Sequence, residues 1–179
     1  VPNYRFDRAD VVLSLGADFL GEWVSPVEHA AAWGKRRKLG TDASAKMSKT
    51  YCFESTPTIT GTNADERFAV RAGDEIKIAL SIVNELVGQT AFAGNPSLKH
   101  LLSGFDAKKV ASEIGGNVSA EKLVEISKVL WAARGRALVV AGGVHARSAT
   151  ALQLQVAVNL LNEILLAEGT LVDGTGSVR

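Results

Sequence analysis

Short apolar runs alternate along the chain with stretches in which apolar residues recur every three or four positions, the pattern of an α/β sheet. Val11-Val12-Leu13-Ser14-Leu15, closed by Gly16, reads as a buried strand. A helix is predicted over residues 26–38, with Ser25 as N-cap, Pro26 in its first turn and Val27, Ala30, Ala31 and Gly34 on one face. Its basic end, Lys35-Arg36-Arg37-Lys38, suits the helix dipole and reads as a solvated terminus. Residues 50–53 and 67–70 form the second and third predicted strands. Asp74 is placed to cap a helix over Glu75–Val87 that turns Ile76, Ala79, Leu80 and Val83 inward, with Gly88 at its C′ position. Residues 89–116 are irregular, with helical pieces at 98–102 and 107–114. A helix over 119–133 turns Leu123, Ile126, Val129 and Leu130 inward. Ala137–Ala141 is the fourth strand, cut by Gly142-Gly143, and a last helix covers about 149–166.

With right-handed crossovers the four strands, counted in chain order, fall in the order 3-2-1-4. The fold class is therefore α/β, a Rossmann-like, doubly wound and mainly parallel sheet with helices on both faces. Ligands on such sheets bind at the carboxyl ends of the strands, near the point where the order reverses. Four loops meet there: Gly16-Ala17-Asp18-Phe19, Glu54-Ser55-Thr56, Arg71-Ala72-Gly73-Asp74 and Gly142-Gly143-Val144-His145. Their glycines permit sharp turns and close approach by a ligand, and the helix N-termini beside them favour anions. Glycines also end strands in α/β domains that bind nothing, so the loops alone leave both readings open. The G-x-G-x-x-G fingerprint is missing, which argues against a conventional NAD-binding domain.

Composition narrows the chemistry. The 179 residues suit one domain, and 46% hydrophobic content excludes disorder. Twenty Lys+Arg against 19 Asp+Glu give a net charge of +1, with no electrostatic footprint for nucleic acid. No apolar run approaches the ~20 residues that span a bilayer. A single cysteine, Cys52, excludes a disulfide framework or a Cys-rich cluster cage within the segment. His29, His100 and His145 are too scattered for a metal set, and neither Ser14 nor Ser55 has triad partners. No catalytic centre and no metal site are expected here. Val1 at the start and the Gly174–Arg179 stretch at the end read as the boundaries of a segment excised from a longer multidomain protein.

Four stretches together resemble the central domain of the molybdopterin oxidoreductases. Asp10 to Asp18 is similar to the strand and glycine loop that open that domain. In the family a second strand then ends in Asp-Pro-Arg, followed by a Thr-rich stretch, an Ala-Asp pair and an Arg-Pro-Gly-Thr-Asp loop. The counterparts here are Glu54-Ser55-Thr56, Thr58-Ile59-Thr60, Ala64-Asp65 and Arg71-Ala72-Gly73-Asp74-Glu75. Ala137 to Asn162 resembles the closing strand, glycine turn and long helix. The resemblance implies a site for one guanine dinucleotide arm of the molybdenum cofactor, molybdopterin guanine dinucleotide. By position it would comprise Gly16, Ala17, Asp18, Glu54 and Ser55 along the nucleotide, and Arg71, Gly73, Asp74 and Glu75 at the base. Gly142, Gly143 and His145 would line the fourth edge.

The sequence departs from that pattern at the phosphate end. Glu54-Ser55-Thr56 lacks the arginine of Asp-Pro-Arg, and Asp18 adds a negative charge where a pyrophosphate would approach. At ~4 Å that repulsion costs about 1 kcal/mol even in water. The stretch from Glu54 to Asp65 most resembles the fused iron–sulfur/molybdopterin-type subunit of alternative complex III and its relatives. That branch implies an emptied, structural domain beside iron–sulfur and cytochrome subunits on the extracytoplasmic, periplasmic face of a membrane. Two alternatives stand beside the cofactor-arm reading: a scaffold that docks neighbouring domains and holds no cofactor, and the nucleotide- or FAD-binding middle domain of a thiamine-diphosphate enzyme.

Overall fold

A computed structural model describes residues 2–38, 46–90, 95–144 and 148–174. Its strands are β1 (Asn3–Tyr4), β2 (Val11–Leu15), β3 (Lys49–Glu54), β4 (Glu66–Ala69), β5 (Ala137–Ala141) and β6 (Val172–Asp173). Its helices are α1 (Pro26–Arg37), α2 (Ile59–Asn63), α3 (Glu75–Val87), α4 (Pro96–Leu102), α5 (Ala107–Ile114), α6 (Ala120–Ala132) and α7 (Ala151–Ile164). Four strands form one all-parallel sheet in the order β4-β3-β2-β5, which is the order expected from right-handed crossovers. The order reverses between β2 and β5, because β3 and β4 are laid down on one side of β2 and the chain then returns to its other side.

The two faces of the sheet are unlike. Val11, Leu13 and Leu15, Tyr51 and Phe53, and Val139 point to one face, where α3, α5, α6 and α7 cover them in the larger core. Each such side chain, fully buried, contributes ~1.5–3 kcal/mol. The alternate residues Val12, Leu138 and Val140 meet Phe6, Phe19, Trp23 and Leu171 in a smaller core on the other face. On that second face β3 turns Thr50, Cys52 and Glu54 inward, all buried. A polar strip therefore runs beneath the sheet's thinner cover, and it leads to the carboxyl edge.

Several local expectations are overturned. Val27, expected inside, is 84% exposed, and α1 instead buries His29, with Ala32 and Trp33 packed beside the smaller core. His29 sits among Tyr4, Phe6 and Trp23, and burial lowers the pKa of its imidazole. An aromatic box thus outweighs the apolar periodicity of the helix. Ser25 precedes α1 but does not cap it; its hydroxyl donates to Glu28 at 3.3 Å. Asp74 does not cap α3, because Arg71 and Lys77 take its carboxylate. Gly88 lies at the C-cap with right-handed φ of −61°, not at a left-handed C′ position. Helix α7 begins at Ala151, two residues later than expected. Helix α2 and the antiparallel β1–β6 pair were not anticipated. At the end of α1, Arg36 pairs with Asp10, while Arg37 pairs with Asp65 at 2.8 Å and lies over the Trp33 ring.

Candidate functional site

Gly16, with φ of 74°, ends β2, and its N–H donates to Phe53 O at 2.8 Å, so β2 and β3 stay laced beyond the strand end. Ala17 is buried and accepts the Ser14 hydroxyl at 2.8 Å on its carbonyl. Asp18 is buried as well. Its Oδ1 accepts from the Thr60 N–H at 2.9 Å, and the Thr60 hydroxyl oxygen in turn accepts from the Leu20 N–H at 2.9 Å. The loop after β2 and the helix after β3 are therefore bonded to each other through a carboxylate and a hydroxyl.

Glu54, 1% exposed, closes the same region from below. It pairs with Arg67 on β4, accepts the Thr58 hydroxyl at 2.6 Å and is met by the Thr58 N–H at 3.3 Å. Thr58 also caps α2, accepting from the Gly61 N–H at 3.0 Å. Two glycines make this packing feasible. A Cβ at Gly61 would fall 1.9 Å from Glu54 Oε1, and one at Gly21 would fall 1.9 Å from Asp18 Oδ2. Ser55 follows Glu54 at the strand end, half-buried. Thr58, Thr60, Gly21, Gly61 and Arg67 were not among the expected site residues. The spacing Thr58-x-x-Gly61 after a strand is the sequence signal of a capped turn that points to the first of them.

The remaining expected residues form a second group. Arg71, Gly73, Asp74 and Glu75 cluster at the start of α3. Arg71 donates to Asp74 Oδ2 at 2.9 Å and to Glu113 O at 2.7 Å, and Lys77 reaches Asp74 at 3.3 Å. Glu75 is buried, with Oε2 accepting the Gly73 N–H at 2.7 Å and Oε1 without a partner. Burial, and then the Asp74 charge, raise its pKa above the ordinary glutamate value. An acid whose pKa is raised in the fold loses its proton at lower pH in the unfolded chain than in the folded one. Stability conferred by Glu75 is therefore present at acid pH and declines as pH rises from the ordinary glutamate range through the folded value. Glu75→Gln is expected to raise stability near neutral pH by about 1 kcal/mol and to flatten that decline. Thermal melts at pH 5 and 7 test it; an unchanged or lower melting point at pH 7 refutes it.

At the switch point Gly142 and Gly143, with φ of 107° and 90°, carry the chain away from β5. A Cβ at Gly143 would lie 3.1 Å from the Trp23 ring, a tight contact, and its φ of 90° is a conformation that glycine adopts without strain. His145 falls outside the described residues. Beside these glycines a cavity of about 750 Å³ opens along the outer edge of β5, with Tyr4, Trp23, Gln155, Asn159, Glu163 and Glu168 among its walls. The structure thus joins Gly16, Ala17, Asp18, Glu54, Gly142 and Gly143 around β2. Arg71, Gly73, Asp74 and Glu75 gather at the start of α3, where a Cβ at Gly73 would lie 3.6 Å from Ser148 Cβ on the segment after β5. Among the described residues no group of three His, Cys, Asp or Glu could hold a metal ion, and no helix is long and apolar enough to cross a membrane.

The geometry has a counterpart among solved structures. Acetylene hydratase from Pelobacter acetylenicus superimposes with a TM-score of 0.70 over 95% of this chain at 18% identity, which establishes the shared fold. The molybdopterin-binding-like subunit of menaquinone reductase from Nitratidesulfovibrio vulgaris (strain Hildenborough) is 27% identical over 166 residues, 89% of this chain. The chain is a relative of the molybdopterin oxidoreductases. No family model matches it. The chain spans 23% of the length of each of these two proteins. Within this molybdopterin-type domain, the loops expected to face a dinucleotide are the ones tied together by Asp18, Thr60, Glu54 and Thr58.

Proposed function

We propose that this molybdopterin-type domain holds no dinucleotide arm and serves as a structural unit of a quinone-linked, membrane-associated redox complex. The observation that carries the reading is the use made of the two carboxylates. By the family resemblance Asp18 and Glu54 would face the phosphates; both are buried, Asp18 bonded to Thr60 of α2 and Glu54 to its cap Thr58. A pyrophosphate needs cations and free N–H donors. Instead the Thr60 and Thr58 N–H groups are spent on carboxylates, and the nearby Arg67 is paired with Glu54. The residues present do not fit the phosphate end. At the base end Glu75 keeps one free carboxylate oxygen, the single feature that favours the occupied reading. The quinone link rests on the menaquinone reductase relative, and partner iron–sulfur and cytochrome subunits on the periplasmic side belong to the same proposal.

The test is metal and pterin analysis of the polypeptide as its gene encodes it, with calorimetric titration of GDP in parallel. The expected result is no stoichiometric molybdenum, tungsten or pterin, and no saturable heat with GDP. Near-stoichiometric metal with pterin overturns the proposal and gives Glu75 a role at the base.

A further inference from the structure

The smaller core is fastened by a group that changes charge in mild acid. His29 of α1 is 3% exposed, and its ring meets three others: Tyr4 edge-on at 6.1 Å, Phe6 at 5.0 Å and Trp23 at 5.4 Å. The backbone of Trp23 gives the imidazole one hydrogen-bond partner, and Nδ1 has none. The neutral ring fits this box. A second proton would set an unpaired N–H and a charge among carbon atoms. The faces of the rings return part of that cost. Burial still prevails and holds the imidazole pKa below the ordinary histidine value.

The elements that His29 joins are lightly held. Strand β1 is two residues paired with the two of β6, and the Arg5 N–H adds one bond to Leu171 O at 2.8 Å. Trp23 closes a turn whose next residue, Val24, has φ of 57°, a left-handed conformation that strains a β-branched side chain. Tyr4 and Trp23, with ring centroids 4.8 Å apart, form one wall of the cavity beside β5, and Trp23 packs against Gly143. Phe6, stacked on Phe19 at 4.4 Å, is the hinge on which the residues before it can swing. The charged groups around the box have their own partners or act elsewhere. Arg5 pairs with Asp7 at 2.9 Å and feels Asp173, Asp18 is bonded to Thr60, and Glu168 acts on Tyr4. Arg8 and Glu22 lie on the exposed side of their segments. Glu28, beside His29 on α1, is the charge that bears on the imidazole, and it favours the protonated form.

We propose that His29 is an acid-operated latch: protonation at Nδ1 frees Tyr4 and Trp23 from the imidazole, lets the Trp23–Val24 turn relax and opens the cavity beside β5. The open form, with the imidazole in water, takes the proton more readily than the closed one. Closure is therefore complete above the ordinary histidine value and weakens as pH falls through that value toward the lower one of the closed form. A separate cluster holds the other face of the sheet, so the opening stays local. The device goes beyond the structural reading above and does not depend on it.

Peptide-resolved hydrogen exchange on the polypeptide as its gene encodes it, between about pH 7.5 and 5 and normalised to the intrinsic rate at each pH, reads the latch. Protection over residues 2–5 and 20–27 is expected to fall roughly tenfold across this range, while that over 123–130 and 137–141 holds. His29→Phe keeps a ring in the box and is expected to abolish the transition. Glu28→Gln, at an exposed position, should keep the transition and move it to lower pH. Glu168 also faces Tyr4 and has a raised pKa, so Glu168→Gln is the control and should leave the midpoint in place. A transition that survives His29→Phe or follows Glu168→Gln overturns the assignment to His29. Protection lost equally from β5 and α6 overturns the local latch in favour of general unfolding. Should the phenylalanine variant not fold, Glu28→Gln decides alone, and an unmoved midpoint overturns the proposal.

Discussion

Glu54→Ala is expected to lower unfolding stability by about 3 kcal/mol, the low end of the range for breaking a buried ion pair. The carboxylate is 1% exposed and serves Arg67, the Thr58 hydroxyl and the Thr58 N–H. Its removal strands two donors at the cap of α2. Arg67 keeps 31% of its side chain in solvent and can turn outward, which is why the loss stays at the low end. Glu54→Gln retains shape and one acceptor and should cost about half as much. Urea denaturation measures both, and hydrogen exchange over residues 58–63 should rise in the alanine variant first. An alanine variant within ~0.5 kcal/mol of the parent, the range of an ordinary surface change, would mean that the latch contributes nothing.

The second large effect is expected at Asn162. Its side chain is buried and meets the outer edge of β5 as another strand would: Oδ1 accepts from Val139 N–H at 3.0 Å, and Nδ2 donates to Val139 O at 2.9 Å. Asn162→Ala leaves both backbone groups unpaired at a cost of about 2 kcal/mol, moderated because the neighbouring cavity admits water. Asn162→Asp discriminates the mechanism. The ionised carboxylate can accept but not donate, so it repels Val139 O, and its folded pKa is raised. The aspartate variant should therefore approach the parent at acid pH and lose stability as pH rises through the ordinary aspartate range toward the folded value. A flat profile would show that the amide does not act as a strand partner.

The elements that could be read from the chain are those whose physics is local. Val11–Leu15 and Ala137–Ala141 are short, mainly apolar runs ended by glycine, and both are strands of the sheet, β2 inside it and β5 at its edge. Helix α6 announced itself by Ser119 and a regular stripe, and Ser119 indeed accepts from the Lys122 N–H. Helix α2 could not be read. Ile-Thr-Gly-Thr-Asn has little helical propensity, and only Thr58, Asp18 and Glu54 hold it. The face of α1 was misjudged because His29 counts as polar until three aromatic rings from elsewhere surround it. The acidic loops looked open to a ligand for the same reason: Asp18 finds its partner 42 residues away, a distance no pattern along the chain reveals.

The pairing of β2 bears on how the chain must be made. Val11 aligns with Lys49 on one side and with Ala137 on the other. The nearer partner leaves a ribosome early, whereas the farther one follows almost the whole domain. Throughout that interval the Val-Val-Leu-Ser-Leu strand presents one unsatisfied edge, which makes it a hazard for self-association during synthesis. Any truncation before Ala141 makes the exposure permanent. Trimmed versions of this unit should thus be judged first by whether β5 is present, since its arrival converts an adhesive edge into the middle of a sheet.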